Sequence, residues 1–305
     1  MTPLRIGARA SLMSLMQTAP LMAKLGPTPM LLRPFHDAAG DRQRNRAPLE
    51  AEGVFSEEIE SALLSGEIDV AVHCLKDAPT HDTAGTVMAA YLPRDDRRDA
   101  LITREPGQNL AALSPGARIG TASVRRTVAL RHIRPDVEVV PMRGPINSRL
   151  RAMEQGEVDA LIVATCSMER LGQSHRIGHR INPEIICPPL GAAIIALQTR
   201  EDDMGTRKAI FGLHHADTEV EAEAERLILR RLGGFCNAPF AGHCTTTPTD
   251  KGSAYTIRIR AFSPDGRTVI EVRETGFDAT EAAIEACQRL IRHGGRELDT
   301  VAPAT

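Results

Sequence analysis

The hydrophobic and polar positions of the first half fall into an approximate internal repeat. Arg5-Ile6-Gly7-Ala8-Arg9-Ala10-Ser11 is echoed by Arg118-Ile119-Gly120-Thr121-Ala122-Ser123, each a short strand entering a small-residue turn and then a helical stretch. A second echo follows each. Glu60 to Val72 parallels Leu150 to Val163, in both cases a helix ended by glycine (Gly66, Gly156) and then a buried apolar strand. Strand, turn, helix and strand, repeated, predict two α/β domains with mostly parallel sheets. In such domains ligands sit at the carboxyl ends of the strands, beside helix N-termini that favour anions. Two of them facing each other make a cleft, and the stretches Pro93 to Arg98 and Pro188-Pro189 are the expected crossovers.

The pattern changes near Asp217. Thr218 to Leu232 reads as one amphipathic helix ended by Gly233-Gly234. Alternating runs at Tyr255 to Phe262 and Thr268 to Arg273 predict strands, and a last helix is expected from Thr280 to Ile291. The expected division is residues 1–93 with 193–212 as a first α/β domain, 98–188 as a second, and 216–305 as a small α+β third. A length of 305 residues is enough for two or three such cores.

Composition narrows the function classes. Apolar residues at 42% and charged residues at 25% are ordinary for a globular protein. A net charge of −2 argues against a nucleic-acid binder, which carries a basic excess. No apolar run approaches the ~20 residues that span a bilayer, and no basic, apolar leader opens the chain, so a cytoplasmic protein is expected. Six cysteines without a CxxC pair suit reduced thiols. The charge is unevenly spread. Between Arg118 and Arg151 stand eight arginines (118, 125, 126, 131, 134, 143, 149, 151) against two acids, Asp136 and Glu138. Such an island suits anionic small molecules. An arginine-rich composition accounts for it equally simply, since only four of the 37 basic residues are lysine.

Three places carry candidate chemistry. His73-Cys74-Leu75-Lys76-Asp77 follows the strand Ile68 to Val72, which puts an ammonium and a carboxylate at its carboxyl end. Arg125-Arg126 open the helix after the second small-residue turn, and Arg143 to Arg149 follow the strand Val137 to Met142; guanidinium forks there suit a polycarboxylate. Solvated turns and surface ion pairs are the bland readings of both. Cys236 sits in Gly233-Gly234-Phe235-Cys236-Asn237, where a thiol on a tight loop is accessible enough to act as a nucleophile. Cys166, Cys187 and Cys287 read as small buried hydrophobes. Cys236 with His243-Cys244 lacks a fourth ligand at zinc spacing, so no metal is expected.

Taken in order, six motifs resemble the hydroxymethylbilane synthase (porphobilinogen deaminase) family. They are Ile6-Gly7-x-Arg9-x-Ser11 with Gln17; Gly66 to His73 with Leu75-Lys76-Asp77-x-Pro79-Thr80; Gly120-Thr121-x-Ser123-Val124-Arg125-Arg126; Arg143-Gly144-x-Ile146-x-Ser148-Arg149-Leu150; Arg170-Leu171-Gly172; and Gly234-x-Cys236-x-x-Pro239. The likeness runs from Arg5 to about Cys244 and more loosely beyond.

The resemblance implies two periplasmic-binding-protein-like, doubly wound domains and a transferase that joins porphobilinogen units head to tail, releasing ammonia and freeing hydroxymethylbilane. It implies a dipyrromethane cofactor bound covalently through Cys236, lying in the cleft against Ser11, Lys76, Asp77, Ser123, Arg125 and Arg126. Asp77, with Lys76 beside it, takes the catalytic role, steadying the cation left when the amine departs; Arg9, Ser148, Arg149 and Arg170 receive the substrate's carboxylates. The implied partner is a small polycarboxylate pyrrole, with no nucleic acid and no membrane, and the implied state is a monomer.

This chain departs from the family's pattern in several places. It reads Glu50-Ala51-Glu52-Gly53-Val54-Phe55 where Gly-Gly-Lys-Gly-Leu-Phe is usual, Cys74 for serine, Pro145 for asparagine, Phe235 for glycine, and Gly191-Ala192-Ala193 for Gly-Gln-Gly. Two other readings stay open at this level, a paralogue making a different pyrrole product and a non-catalytic two-lobed binding protein or sensor.

Overall fold

A computed structural model describes residues 3–26, 28–35, 56–105, 107–233 and 239–300. In chain order the first unit builds β1 (Leu4–Arg9), α1 (Leu12–Lys24), β2 (Met30–Phe35), α2 (Glu57–Leu64), β3 (Val70–Cys74) and β4 (Thr86–Tyr91). The chain then crosses into β5 (Asp99–Thr103), β6 (Arg118–Thr121), α3 (Val124–Ile133), β7 (Glu138–Pro141), α4 (Ile146–Glu154), β8 (Ala160–Ala164), α5 (Thr165–Arg170) and β9 (His179–Arg180). It crosses back as β10 (Ile195–Arg200) and α6 (Met204–Ile210). The third unit is α7 (Ala216–Leu232), β11 (Phe240–Thr249), β12 (Gly252–Phe262), β13 (Val269–Gly276) and α8 (Ala279–Arg292).

The internal repeat is real and extends to the hydrogen bonds. The sheets are ordered β2-β1-β3-β10-β4 and β7-β6-β8-β5-β9, so each strand of one has a counterpart in the other. Arg5 Nη2 meets Asp69 at 2.5 Å and Arg118 Nη2 meets Asp159 at 3.4 Å; the same arginines bond the carbonyls of Gly66 and Gly156, the glycines that end α2 and α4. Both glycines have positive φ, 72° and 84°, which explains the residue type at those helix ends. Gly7 and Gly120 answer a different demand. A Cβ on Gly7 would lie 2.4 Å from Ile68 Cδ1, and one on Gly120 would lie 2.7 Å from Leu161 Cδ2, so a larger residue at either place would have to push a packed side-chain tip aside.

The expectation of mostly parallel sheets holds in strand direction, with four strands of each sheet running one way and a single strand, β10 or β5, running against them. Each sheet contains two parallel pairings (β1 with β2 and β3; β6 with β7 and β8) and two antiparallel ones (β10 with β3 and β4; β5 with β8 and β9). The reason lies in the crossovers: β5 and β10 are each delivered by a segment arriving from the opposite lobe, and they enter running against the strands of the repeat.

Apolar clusters form under each sheet, and a third, around Ile228, Cys244, Ile257, Ile259 and Cys287, holds the third unit together. There the helix starts two residues before the expected Thr218, because His215 supplies the cap by accepting from the Thr218 amide. Gly233, at φ 67°, ends it as expected. Cys166, Cys187 and Cys287 are buried, in line with their reading as small hydrophobes. Among the described residues no helix is long and apolar enough to cross a membrane.

Candidate active site

The parallel strands of both lobes deliver their carboxyl ends to one cavity of about 560 Å³. That is the size expected of a small-molecule site. Three helices begin on its wall. Ser11 caps α1 by accepting from the Ser14 amide (3.2 Å), Ser123 caps α3 by accepting from the Arg126 amide (3.5 Å), and Pro145 precedes α4. Each thus presents N–H groups and the positive end of a dipole toward the same space. Met13 of α1 packs against the apolar cluster of the second lobe, closing one side.

The charges on the wall are lopsided. Arg9, Lys76, Arg125, Arg126, Arg143 and Arg149 line the cavity, against one carboxylate, Asp77. Arg125 and Arg126 are held from behind by a single buried acid: Asp99, at 1% exposure, accepts from Arg125 Nη2 at 2.8 Å and from Arg126 Nη2 at 2.6 Å. Burial alone would raise that carboxyl, but the two guanidiniums outweigh it and keep Asp99 below its ordinary value. Arg125 also donates to the Cys187 carbonyl at 2.6 Å, so its position is set by the protein. Arg149 and Arg143 are different: among the described residues neither has a carboxylate partner. Arg149 Nε and Arg126 Nε are buried and lack a hydrogen-bond partner among the described residues. Burial, and then the neighbouring Arg126, push the Arg149 guanidinium down to about 10. A buried cation left in that condition needs an anion.

Lys76 and Asp77 occupy a 3-10 turn, Leu75–Asp77, that continues β3 directly. The Asp77 carboxylate raises the Lys76 ammonium above its usual value, outweighing the opposing desolvation, so the lysine is a fixed positive charge. Cys74, the residue before the turn, has its thiol pushed up to about 11 by burial and then by Asp77. It is therefore a neutral thiol near pH 7 and not a competing nucleophile.

A family model described as "Porphobilinogen deaminase, dipyromethane cofactor binding domain" matches residues 4–208. The chain belongs to the porphobilinogen deaminase family. It is 38% identical to porphobilinogen deaminase 2 of Streptomyces coelicolor, over 97% of this chain and 96% of that one. It is 37% identical to the porphobilinogen deaminase of Deinococcus radiodurans, over 98% of both. A TRAP periplasmic solute binding protein from Desulfovibrio salexigens aligns with a TM-score of 0.42 and 11% identity, over 70% of this chain and 72% of that one. Membership of the deaminase family makes the chain an enzyme of that class, with a dipyrromethane cofactor domain built from the two repeated lobes.

Of the residues singled out from the sequence, Arg9, Ser11, Lys76, Asp77, Ser123, Arg125, Arg126 and Arg149 meet at the cavity. Two do not. Arg170 is turned to Asp95, donating from Nε and Nη2 at 3.0 and 2.7 Å, and so ties α5 to the first crossover. Ser148 is exposed on the first turn of α4 while Asn147 and Arg149 take the wall. Cys236, Phe235 and the segment Glu50 to Phe55 lie outside the described residues. The sequence reading gave no role to Asp99, since nothing in the order of residues links position 99 to 125. Arg143, which follows the strand Val137 to Met142 and belongs to the guanidinium set expected there, also reaches the cavity.

Proposed function

We propose that Asp77 and the cavity arginines divide the work of joining porphobilinogen head to tail, on a cofactor anchored by Cys236. Each porphobilinogen ring brings an acetate and a propionate, so a bound chain is polyanionic. The observation that carries this reading is the cavity's excess of cations, with Arg143 and Arg149 unpaired among the described residues and two buried guanidinium nitrogens unsatisfied. That donor set fits a pair of carboxylated pyrroles. Ser11, Ser123, Arg125, Arg126 and Lys76 would hold the cofactor, whose chemistry when bound is to offer a free pyrrole carbon to the first incoming ring.

The remaining steps belong to side chains. Arg9, Arg143 and Arg149 receive the substrate carboxylates, where charge-assisted bidentate pairs give both affinity and orientation. Asp77, the one carboxylate on the wall among the described residues, would face the reacting carbon. As ammonia leaves the substrate's aminomethyl group, the carboxylate stabilises the positive charge that develops there and takes up the proton released when the rings join. Lys76, held positive by its neighbour Asp77, adds a point charge for a carboxylate. Arg170 and Ser148 act at one remove, Arg170 by fixing α5 against Asp95.

The division into residues 1–93 with 193–212, 98–188, and 216–305 belongs to the same proposal and is supported by the separate sheets. So does a monomer in the cytoplasm: the five described cysteines are all free thiols, as a reducing compartment would keep them. Intact-protein mass tests the anchor. Purified wild type should carry a two-pyrrole increment, and Cys236→Ser should lack it. A wild-type protein without any increment, even after incubation with porphobilinogen, would end this account.

A further inference from the structure

Helix α7 belongs to the third unit, yet its buried face bonds the segments that flank the Lys76–Asp77 turn on two sides. On one side Glu225, fully buried, accepts from the Gly191 amide at 2.5 Å, from the Cys244 amide at 2.7 Å and from Arg94 Nη1 at 2.7 Å. Gly191 has φ 74°, and a Cβ on it would stand 2.8 Å from the Lys76 nitrogen, so Glu225 holds the backbone that the turn rests on. The next residues tie in as well: the Leu75 amide donates to the Ile194 carbonyl at 2.9 Å. On the other side Arg226 Nη2 donates to the Thr80 carbonyl at 3.3 Å and to Asp82 Oδ1 at 2.8 Å, and Arg230 Nη1 donates to the same Thr80 carbonyl at 2.9 Å.

Stability alone explains this poorly. Arg226 is 3% exposed, and its Nε and Nη1 have no hydrogen-bond partner among the described residues. A buried guanidinium with unsatisfied N–H groups is costly, and an apolar side chain of similar size is often as good or better for folding. Besides an ion pair with Glu223 within the helix, at 3.7 Å, what the arginine does that a hydrophobe would not is hold Thr80 and Asp82, the backbone just past Asp77. Helix α7 then ends at Leu232 and Gly233, and the chain runs on to Cys236.

We propose that α7 is a positioning clamp: Arg226 and Arg230 on one side, and Glu225 through Gly191 on the other, set the Lys76–Asp77 turn relative to the unit that carries Cys236. The clamp rests on the assignment of Asp77 to the chemical step. Its three side chains are positioning residues and touch no reacting atom. Displacing a reacting group by about 1 Å can cost ~100-fold in rate, while the carboxylate-binding arginines of the second lobe stay where they are. Loss of the clamp therefore lowers kcat and leaves KM nearly unchanged.

The test uses primer-bearing enzyme, with kcat referred to the fraction that shows the two-pyrrole increment by intact mass. Arg226→Gln and Arg230→Gln are expected to lose about 10- to 100-fold in kcat, with KM for porphobilinogen within about twofold. Arg230→Lys, which keeps a cationic donor, should recover part of the loss. Arg258→Gln is the control, because Arg258 is equally buried in the third unit but is bound to Glu184 and Glu271. If it loses kcat as far as Arg226→Gln, the arginines act through folding alone and the clamp is overturned. Should Arg226→Gln fail to fold, Arg230→Gln decides, since that side chain is 27% exposed. Wild-type kcat in the Arg230 variant alongside an inactive Asp77→Asn overturns the clamp and leaves Asp77 standing. Wild-type kcat in Asp77→Asn removes the assignment beneath it, and the clamp with it.

Discussion

In the first lobe, β3 runs into Cys74-Leu75-Lys76-Asp77; in the second, the equivalent strand β8 runs straight into α5 through Thr165 and Cys166. The lobes share sheet order, capping serines, helix-ending glycines and the pairs Arg5–Asp69 and Arg118–Asp159. They differ at the strand ends facing the cavity. Among the described residues the first lobe offers the one carboxylate on the wall, beside Arg9 and Lys76, and the second offers Arg125, Arg126, Arg143 and Arg149 with no carboxylate. Repetition has preserved the scaffold and redistributed the charge: the second copy brings four arginines to the described wall, and the first brings its single carboxylate, to which the proposed function gives the proton transfer. Asp99 shows the other use of a carboxylate in the second lobe, as a permanent partner of Arg125 and Arg126.

That contrast can be broken most severely at Asp77. Asp77→Asn should lower turnover by about 10²- to 10⁴-fold, the usual worth of a positioned acid or base, with KM little changed; steady-state kinetics on primer-bearing enzyme decides it. Next in size is Asp99→Asn. Removing one partner of a buried ion pair costs about 3–5 kcal/mol, and thermal or denaturant unfolding reads the loss. The sign in acid follows from the depressed Asp99 value: its stabilisation is present above the ordinary carboxylate range near about 4 and disappears as pH falls through the folded value. Wild type should therefore lose more stability between neutral and strongly acidic pH than Asp99→Asn does.

Smaller still is Arg149→Gln, which removes a charged hydrogen bond worth about 1.5–3 kcal/mol and so raises KM about 10- to 100-fold while kcat holds. Added salt should raise the wild-type KM more than that of the variant, since the arginine set acts through charge. The mildest change is Gly7→Ala against Gly120→Ala. Each forces a side-chain tip aside and costs about 1–3 kcal/mol, and equal losses in the two would show that the scaffold is symmetric where the chemistry is not.

Much of this was legible in the sequence because the repeat wrote each demand twice. Gly66 with Gly156, and Ser11 with Ser123, mark helix ends that local chemistry dictates, and the capped strand ends locate the site. What stayed hidden was set by contacts between distant segments. Asp99 meets its arginines only after two strands pair, Arg170 is drawn to Asp95 across a crossover, and the antiparallel strands β5 and β10 owe their direction to the path between lobes. Periodicity carries no signal for any of these. The helix α7 was foreseen as amphipathic, but its grip on Thr80 and Gly191 depends on where two other segments end.

The division of labour between the lobes is tested most directly by mixing primer-bearing Asp77→Asn and Arg149→Gln enzymes, separately, with porphobilinogen and following intact mass. The account predicts ring-sized increments on Arg149→Gln at raised porphobilinogen concentration, and on Asp77→Asn a rate of increment lowered by about 10²- to 10⁴-fold that no porphobilinogen concentration restores. Increments on Asp77→Asn at the wild-type rate, or their absence from Arg149→Gln at saturating porphobilinogen, would contradict it.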